Sequence, residues 1–179
     1  MLRRWMKRWL KNEKSPRELF VHEDDWGQIE VLPAACRAWC AAEFARIGDF
    51  AAAHAAGGDG GWTDIYMRAE APVTLASLHL PFAETITALA ARLEAFDIVT
   101  SGTFSAPGPV ARVAAFGPEA GVGVVVVPDR TGAMVDAMTL VLNGSESSCR
   151  AVTRAVTMIS SAQPLLIVEW NRRALSLDA

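Results

Sequence analysis

Cysteine is scarce in this sequence, with 3 among 179 residues. An odd and small number of cysteines argues against a disulfide framework and favours a reducing compartment. Long apolar runs are also missing, because no segment reaches the roughly 18 uninterrupted apolar residues that a membrane span requires. Charges interrupt residues 1–17, where a secretory leader would be apolar. These absences together predict a cytoplasmic protein.

Lysine is absent beyond residue 14, and this divides the charge of the chain. Residues 1–17 carry seven basic residues against one acid, a net charge of +6, whereas residues 18–179 carry ten arginines against nineteen acids, a net charge of −9. We therefore expect a basic appendage at residues 1–17 and a single acidic domain at residues 18–179. Since an acidic body repels nucleic acid and attracts basic proteins, no nucleic-acid partner is expected.

The sequence also lacks the motifs of common catalytic and cofactor sites. Its three histidines do not lie at metal-ligand spacing, and strand geometry would place His22 and Glu23 on opposite faces. It has no Gly-x-Ser-x-Gly nucleophile motif, and the glycine-rich residues 57–61 lack the Lys-Ser/Thr of a phosphate loop. We expect neither a metal nor a cofactor.

The most distinctive stretch that is present covers residues 19–33. Its apolar runs at residues 19–21 and 29–32 predict two strands of a β-hairpin, with the turn over residues 24–27. Four carboxylates and one indole fall within eight residues: Glu23, Asp24, Asp25, Trp26 and Glu30. A fold does not require this concentration of charge. We predict that these five residues point outward and bind a basic protein partner; two of the acids could instead serve as an acid and a base in a small hydrolase.

The first fourteen residues predict an amphipathic helix. Apolar residues recur at helical spacing, and basic residues fill the other side. The candidate docking residues are Trp5, Trp9, Arg4 and Arg8. They could hold the helix on an anionic membrane surface, on a protein partner or on a second copy of the chain in a homodimer. Alternatively, both tryptophans cover an apolar strip of the protein's own body.

The rest of the chain predicts an α+β domain. Its single sheet is expected to be twisted and mostly antiparallel, with helices packed on one side, because strands outnumber helices and most connections are short. Apolar periodicity predicts helices at residues 34–47, 82–96 and 146–162, the last with Ser145 as N-cap. Cys36 and Cys40, four residues apart, are expected to be small buried residues of the first helix. Strands are predicted at residues 62–69, 73–80, 98–105, 111–116, 122–127, 134–142 and 164–170.

Two segments carry a resemblance to a known group of proteins. Residues 22–33 contain the run Glu-Asp-Asp-Trp-Gly-Gln-Ile-Glu-Val-Leu-Pro leading into a helix, and residues 165–170 form a late apolar strand, Leu-Leu-Ile-Val-Glu-Trp. This combination resembles small bacterial immunity proteins that accompany secreted toxins. The resemblance implies a cytoplasmic, non-enzymatic α+β protein that binds and blocks a cognate toxin. The alternatives are a small hydrolase that uses the acidic cluster and a peripheral membrane protein docked by its basic, Trp-containing helix.

Overall fold

A computed structural model describes residues 15–56, 63–159 and 164–176. Within these ranges the chain forms nine β-strands and three α-helices, numbered in chain order. The strands are β1 (Glu18–His22), β2 (Ile29–Pro33), β3 (Ile98–Thr103), β4 (Ala106–Pro109), β5 (Ala114–Glu119), β6 (Val122–Pro128), β7 (Val135–Leu142), β8 (Leu165–Glu169) and β9 (Ala174–Ser176). The helices are α1 (Arg37–His54), α2 (Phe82–Ala90) and α3 (Glu146–Thr157). The helix predicted for residues 1–14 lies outside the described residues.

The strands form two sheets. The larger has the order β5-β6-β7-β2-β8-β9 and is antiparallel throughout, and the smaller has the order β1-β3-β4. Only the β1–β3 pair among these strands is parallel. The predicted α+β class and its mostly antiparallel pairing are therefore confirmed, but the strands belong to two sheets rather than one.

The predicted hairpin is wrong, because β1 and β2 lie in different sheets. β1 is buried on one face only, through Leu19 and Val21, and it pairs with β3. β2 is apolar on both faces, since Val31 and Leu32 point to opposite sides and both are buried. A strand of that kind is stable only inside a sheet that is covered on both faces. β2 accordingly lies between β7 and β8.

Helices cover both faces of the larger sheet, so the prediction of helices on one side is wrong. One face packs against α2, α3 and the 3-10 helix Leu75–Leu78. The opposite face is covered by the smaller sheet over β5–β7 and by α1 over β2 and β8. The physical reason is the sequence of β8, in which Ile167 faces the first layer while Leu166 and Val168 face α1. Each such side chain contributes roughly 1.5–3 kcal/mol when buried, so both faces need a cover.

Helix α2 ends earlier than its apolar stripe predicts. The stripe continues to residue 96, but the helix stops at Ala90. Phe96 instead donates its backbone N–H to the carbonyl oxygen of Ala115 at 2.9 Å and packs in the core between the two sheets. The guanidinium of Arg17 lies 4.5 Å from the centre of the Phe96 ring. Tertiary packing therefore draws the last residue of the stripe away from the helix.

Several other local predictions are corrected or confirmed by the structure. Residues 62–69 were predicted as a strand, yet those that the structure describes, 63–69, join no sheet. Part of the predicted extended run 73–80 is the 3-10 helix Leu75–Leu78, and the Pro-rich residues after β3 form the edge strand β4 rather than a loop. The N-cap of α3 is confirmed, since the side chain of Ser145 accepts a hydrogen bond from the N–H of Ser148 at 3.2 Å.

Candidate functional site

The acidic residues after β1 form a short 3-10 turn, Glu23–Asp25. Nδ1 of His22 accepts the backbone N–H of Asp24 at 3.3 Å and so caps this turn. Glu23 is exposed, and the side chain of Asp24 is 84% exposed. Asp25 is half-buried, and its carbonyl oxygen accepts the N–H of Gln28 at 3.1 Å. The turn therefore presents the first two acids outward, as predicted.

Trp26 is not displayed to solvent in the way the sequence prediction assumed. Its side chain is half-buried and packs against the core between the two sheets. The indole N–H donates to Oγ of Ser101 in β3 at 2.7 Å. Trp26 therefore ties the acidic turn to the smaller sheet, and its predicted outward orientation is wrong.

Glu30 is also engaged within the protein. Strand alternation places it on the face of β2 that carries Leu32, where the indole N–H of Trp170 donates to its Oε1 atom. Arg68 donates to the same oxygen at 2.8 Å and lies 4.1 Å above the Trp170 ring. Glu30 therefore accepts hydrogen bonds from two internal partners at one oxygen atom, and the prediction that it faces outward is wrong. Arg68, which pairs with Glu30, lies 38 residues away from it in the chain.

An aromatic cluster that the sequence analysis missed lies beside the exposed acids. Phe20 and His22 point away from the core on the outer face of β1, and Phe104 follows β3. The Phe104 ring is centred 5.3 Å from that of Phe20 and 4.9 Å from that of His22. Phe104 is 82% exposed. The sequence signal for this cluster was the alternation in β1, which puts Phe20 and His22 on the face opposite Leu19 and Val21.

These groups form one outward surface, which we call the aromatic–acidic surface. Its members are Phe20, His22, Glu23, Asp24 and Phe104. Among the described residues, no arginine pairs with Glu23 or Asp24; Nδ1 of His22 lies 3.5 Å from the Asp24 carboxylate but accepts the backbone N–H of Asp24. Two carboxylates beside an exposed phenyl ring therefore remain free to contact another molecule. This arrangement matches the anchor-and-charge composition of protein-binding sites.

A second polar cluster surrounds Glu43, a charged residue that is fully buried in α1. Tyr66 donates its hydroxyl to Oε1 at 2.7 Å, the N–H of Ala69 donates to the same atom at 3.3 Å, and Arg46 donates to Oε2. Burial raises the pKa of Glu43, but these hydrogen bonds offset it and lower the pKa below its ordinary value. Residues 63–69 cover this side of α1, which periodicity within the helix does not reveal.

Both cysteines of the Cys-x-x-x-Cys pattern are buried and free, which confirms their prediction as small core residues. The Cys36 thiol donates to the carbonyl oxygen of Val73 at 3.1 Å. Burial raises the pKa of both thiols, that of Cys40 to about 11. They are therefore protonated near neutral pH and poor nucleophiles.

The candidate docking residues Trp5, Trp9, Arg4 and Arg8 lie outside the described residues. Within the described ranges, no group of three or more His, Cys, Asp or Glu side chains is arranged to hold a metal ion. None of the helices in those ranges combines the length and apolarity that a bilayer crossing requires. No family model matches this chain, and comparisons with curated proteins and with solved structures found no match.

Proposed function

We propose that this protein is a non-enzymatic binding protein whose aromatic–acidic surface docks a basic protein. The observation that carries the proposal is Phe104, a large apolar ring that is 82% exposed beside the exposed carboxylates of Glu23 and Asp24. An exposed phenyl ring gains free energy when a partner removes it from water. The carboxylates at its rim select a partner that brings positive charge.

The charge of the whole domain supports a basic partner. Residues 18–179 have a net charge of −9, so their field raises the rate at which a basic protein arrives. The free acids at the surface then orient it, while the aromatic ring supplies most of the affinity. Following the resemblance of residues 22–33 and 165–170, we propose a toxin as the partner, bound and inhibited in the cytoplasm.

The proposal narrows the predicted site. Glu23 and Asp24 keep their partner-binding role, and Phe104, Phe20 and His22 join them. Trp26 and Glu30 act as internal supports, because their polar atoms bond to Ser101 and to Arg68 and Trp170. Asp25 lies at the inner end of the turn and positions it.

The test is co-purification with the basic product of a neighbouring gene, followed by calorimetry of the purified complex. Phe104→Ala is expected to raise Kd by about 30-fold, which corresponds to a hot-spot loss of about 2 kcal/mol. Glu23→Lys combined with Asp24→Lys is expected to slow association, with the largest effect at low salt.

Glu84→Lys is the matched control, since Glu84 is an exposed acid of α2, on the other side of the larger sheet. It is expected to leave Kd within about twofold, because a charge beyond a Debye length is screened. The site is refuted if Phe104→Ala leaves Kd unchanged and the double charge reversal leaves the association rate unchanged. Trp26→Ala is unsuitable as a probe, because it removes internal packing as well as any contact.

A further inference from the structure

Residues 65–69 have the side-chain pattern of a β-strand but no strand beside them in the parts of the chain that are described. Ile65 is 81% exposed and Met67 is 82% exposed, whereas Tyr66 and Arg68 between them are half-buried. Exposure that alternates with a period of two is the pattern of an extended chain. The strand prediction for residues 62–69 therefore agrees with this side-chain pattern but not with the lack of a neighbouring strand among the described residues.

Two anchors hold the inner side of this segment. Tyr66 donates to the buried carboxylate of Glu43 in α1 at 2.7 Å. Arg68 donates to Glu30 in β2 at 2.8 Å and to the carbonyl oxygen of Gly27 at 3.3 Å. Because the anchors come from different elements, they fix both the position and the direction of the segment. Its outer side chains, by contrast, contact little.

The backbone of the segment is available for pairing. Among the described residues, the N–H groups of Tyr66, Met67 and Arg68 donate to no other group, whereas Thr63, Ile65 and Ala69 donate to His54, Asp64 and Glu43. An extended chain with unpaired amides is a template for an added strand. The anchors have already ordered the template, so an incoming strand does not have to order it.

We propose that residues 63–70 form a second docking edge, which accepts an extended segment of a partner protein as an added β-strand. The segment would carry apolar side chains at alternate positions, which cover Ile65 and Met67. Its ends would be basic, because the exposed carboxylates of Asp64 and Glu70 flank the apolar pair. This edge is separate from the aromatic–acidic surface and does not depend on it.

The test uses a synthetic peptide of about eight residues, a typical strand length, with valine at alternate positions and lysine at both ends. Amide hydrogen exchange is measured on the full-length protein with and without the peptide. Tyr66 and Arg68 are expected to gain protection of at least about tenfold, because their N–H groups share one edge of the extended chain and become donors in a ladder. Met67 is the internal control, because its N–H points to the opposite edge, where Thr63 and Ala69 already donate to His54 and Glu43. The same peptide with its backbone nitrogens methylated on the pairing side is expected to lose binding.

Two protein variants complete the test. Ile65→Lys combined with Met67→Lys is expected to weaken peptide binding by at least about tenfold; both sites are exposed, so the fold is retained. Phe104→Ala is the matched control and is expected to bind the peptide as the parent does. No protection at the amides of Tyr66 and Arg68 with the peptide at about 1 mM, well above typical working affinities, overturns the proposal. The proposal is also overturned if the methylated peptide binds equally well. It is overturned as well if self-association of the protein alone protects these amides.

Discussion

The buried carboxylate of Glu43 permits a quantitative prediction of stability. Glu43→Gln keeps the shape of the side chain, and its remaining oxygen can still accept from Tyr66 and Ala69. What is lost is the negative charge opposite Arg46, whose guanidinium donates to Oε2 in the parent protein. A hydrogen bond to a charged group contributes about 1.5–3 kcal/mol, against about 0.5–1.5 kcal/mol for a neutral one.

The expected loss for Glu43→Gln lies toward the low end of the charged range. The side chain of Arg46 is 51% exposed, so in the variant it can turn to water and avoid an unpaired buried charge. We expect a loss of about 1–2 kcal/mol at pH 7, measured by urea denaturation. For a domain of this size that loss lowers Tm by about 2–8 °C.

The effect of Glu43→Gln depends on pH with a definite sign. Although burial raises the pKa of Glu43, hydrogen bonds from Tyr66, Arg46 and Ala69 hold it below its ordinary value of 4.5 in the folded state. The ionised carboxylate therefore stabilises the fold above about pH 4.5, and this contribution is lost as the pH falls through the folded pKa. The stability difference between parent and variant should shrink in acid, since a protonated carboxyl resembles the amide.

Glu146→Gln is the matched control for this experiment. Glu146 forms an ion pair with Arg150 at 2.6 Å, but its side chain is 88% exposed. The control is expected to change stability by no more than about 0.5–1 kcal/mol, as solvent-exposed pairs do. If Glu43→Gln costs no more than this control at pH 7, or if its cost is the same at pH 3 and pH 7, the reasoning is refuted.

Three further predictions concern residues that support the candidate site or lie in the core. Trp26→Phe and Ser101→Ala should each destabilise the protein by about 1 kcal/mol, and the double variant should cost little more than either, as a double-mutant cycle would detect. Gly102→Ala should cost about 2 kcal/mol or more in urea denaturation, because its φ of 134° and a backbone oxygen of β4 that would lie 2.5 Å from the added Cβ both oppose a side chain. Cys36 and Cys40 should resist iodoacetamide in the native protein at pH 8 and react on unfolding, as mass spectrometry would show.

The sequence predicted local structure correctly wherever neighbouring residues alone determine it. The runs in β6 and β8 are apolar at successive positions, and both strands are buried on two faces. Ser145 caps α3 as its side-chain chemistry predicts. In each case the information lies within a few neighbouring residues, so a single sequence contains it.

Partners distant in the chain were not predictable by such reasoning. Periodicity says which face of a strand is apolar, but it does not say which strand lies beside it, and the hairpin between β1 and β2 was wrong for this reason. The prediction that the whole acidic cluster points outward was wrong for the same reason. Its composition was visible, but the inward positions of Trp26 and Glu30 depend on Ser101, Arg68 and Trp170. The exposed Phe104 was missed because a single phenylalanine after a strand has no periodic signature.

The position of β2 inside the larger sheet has a consequence during synthesis. This strand is made early, yet its two neighbours, β7 and β8, are made near the end of the described chain. At about 5–20 residues per second, on the order of 10 s pass before β8 can follow β2. Until β7 is made, this doubly apolar strand has neither edge paired, and until β8 is made it has at most one. The larger sheet therefore cannot be completed until nearly all of the described chain has been made.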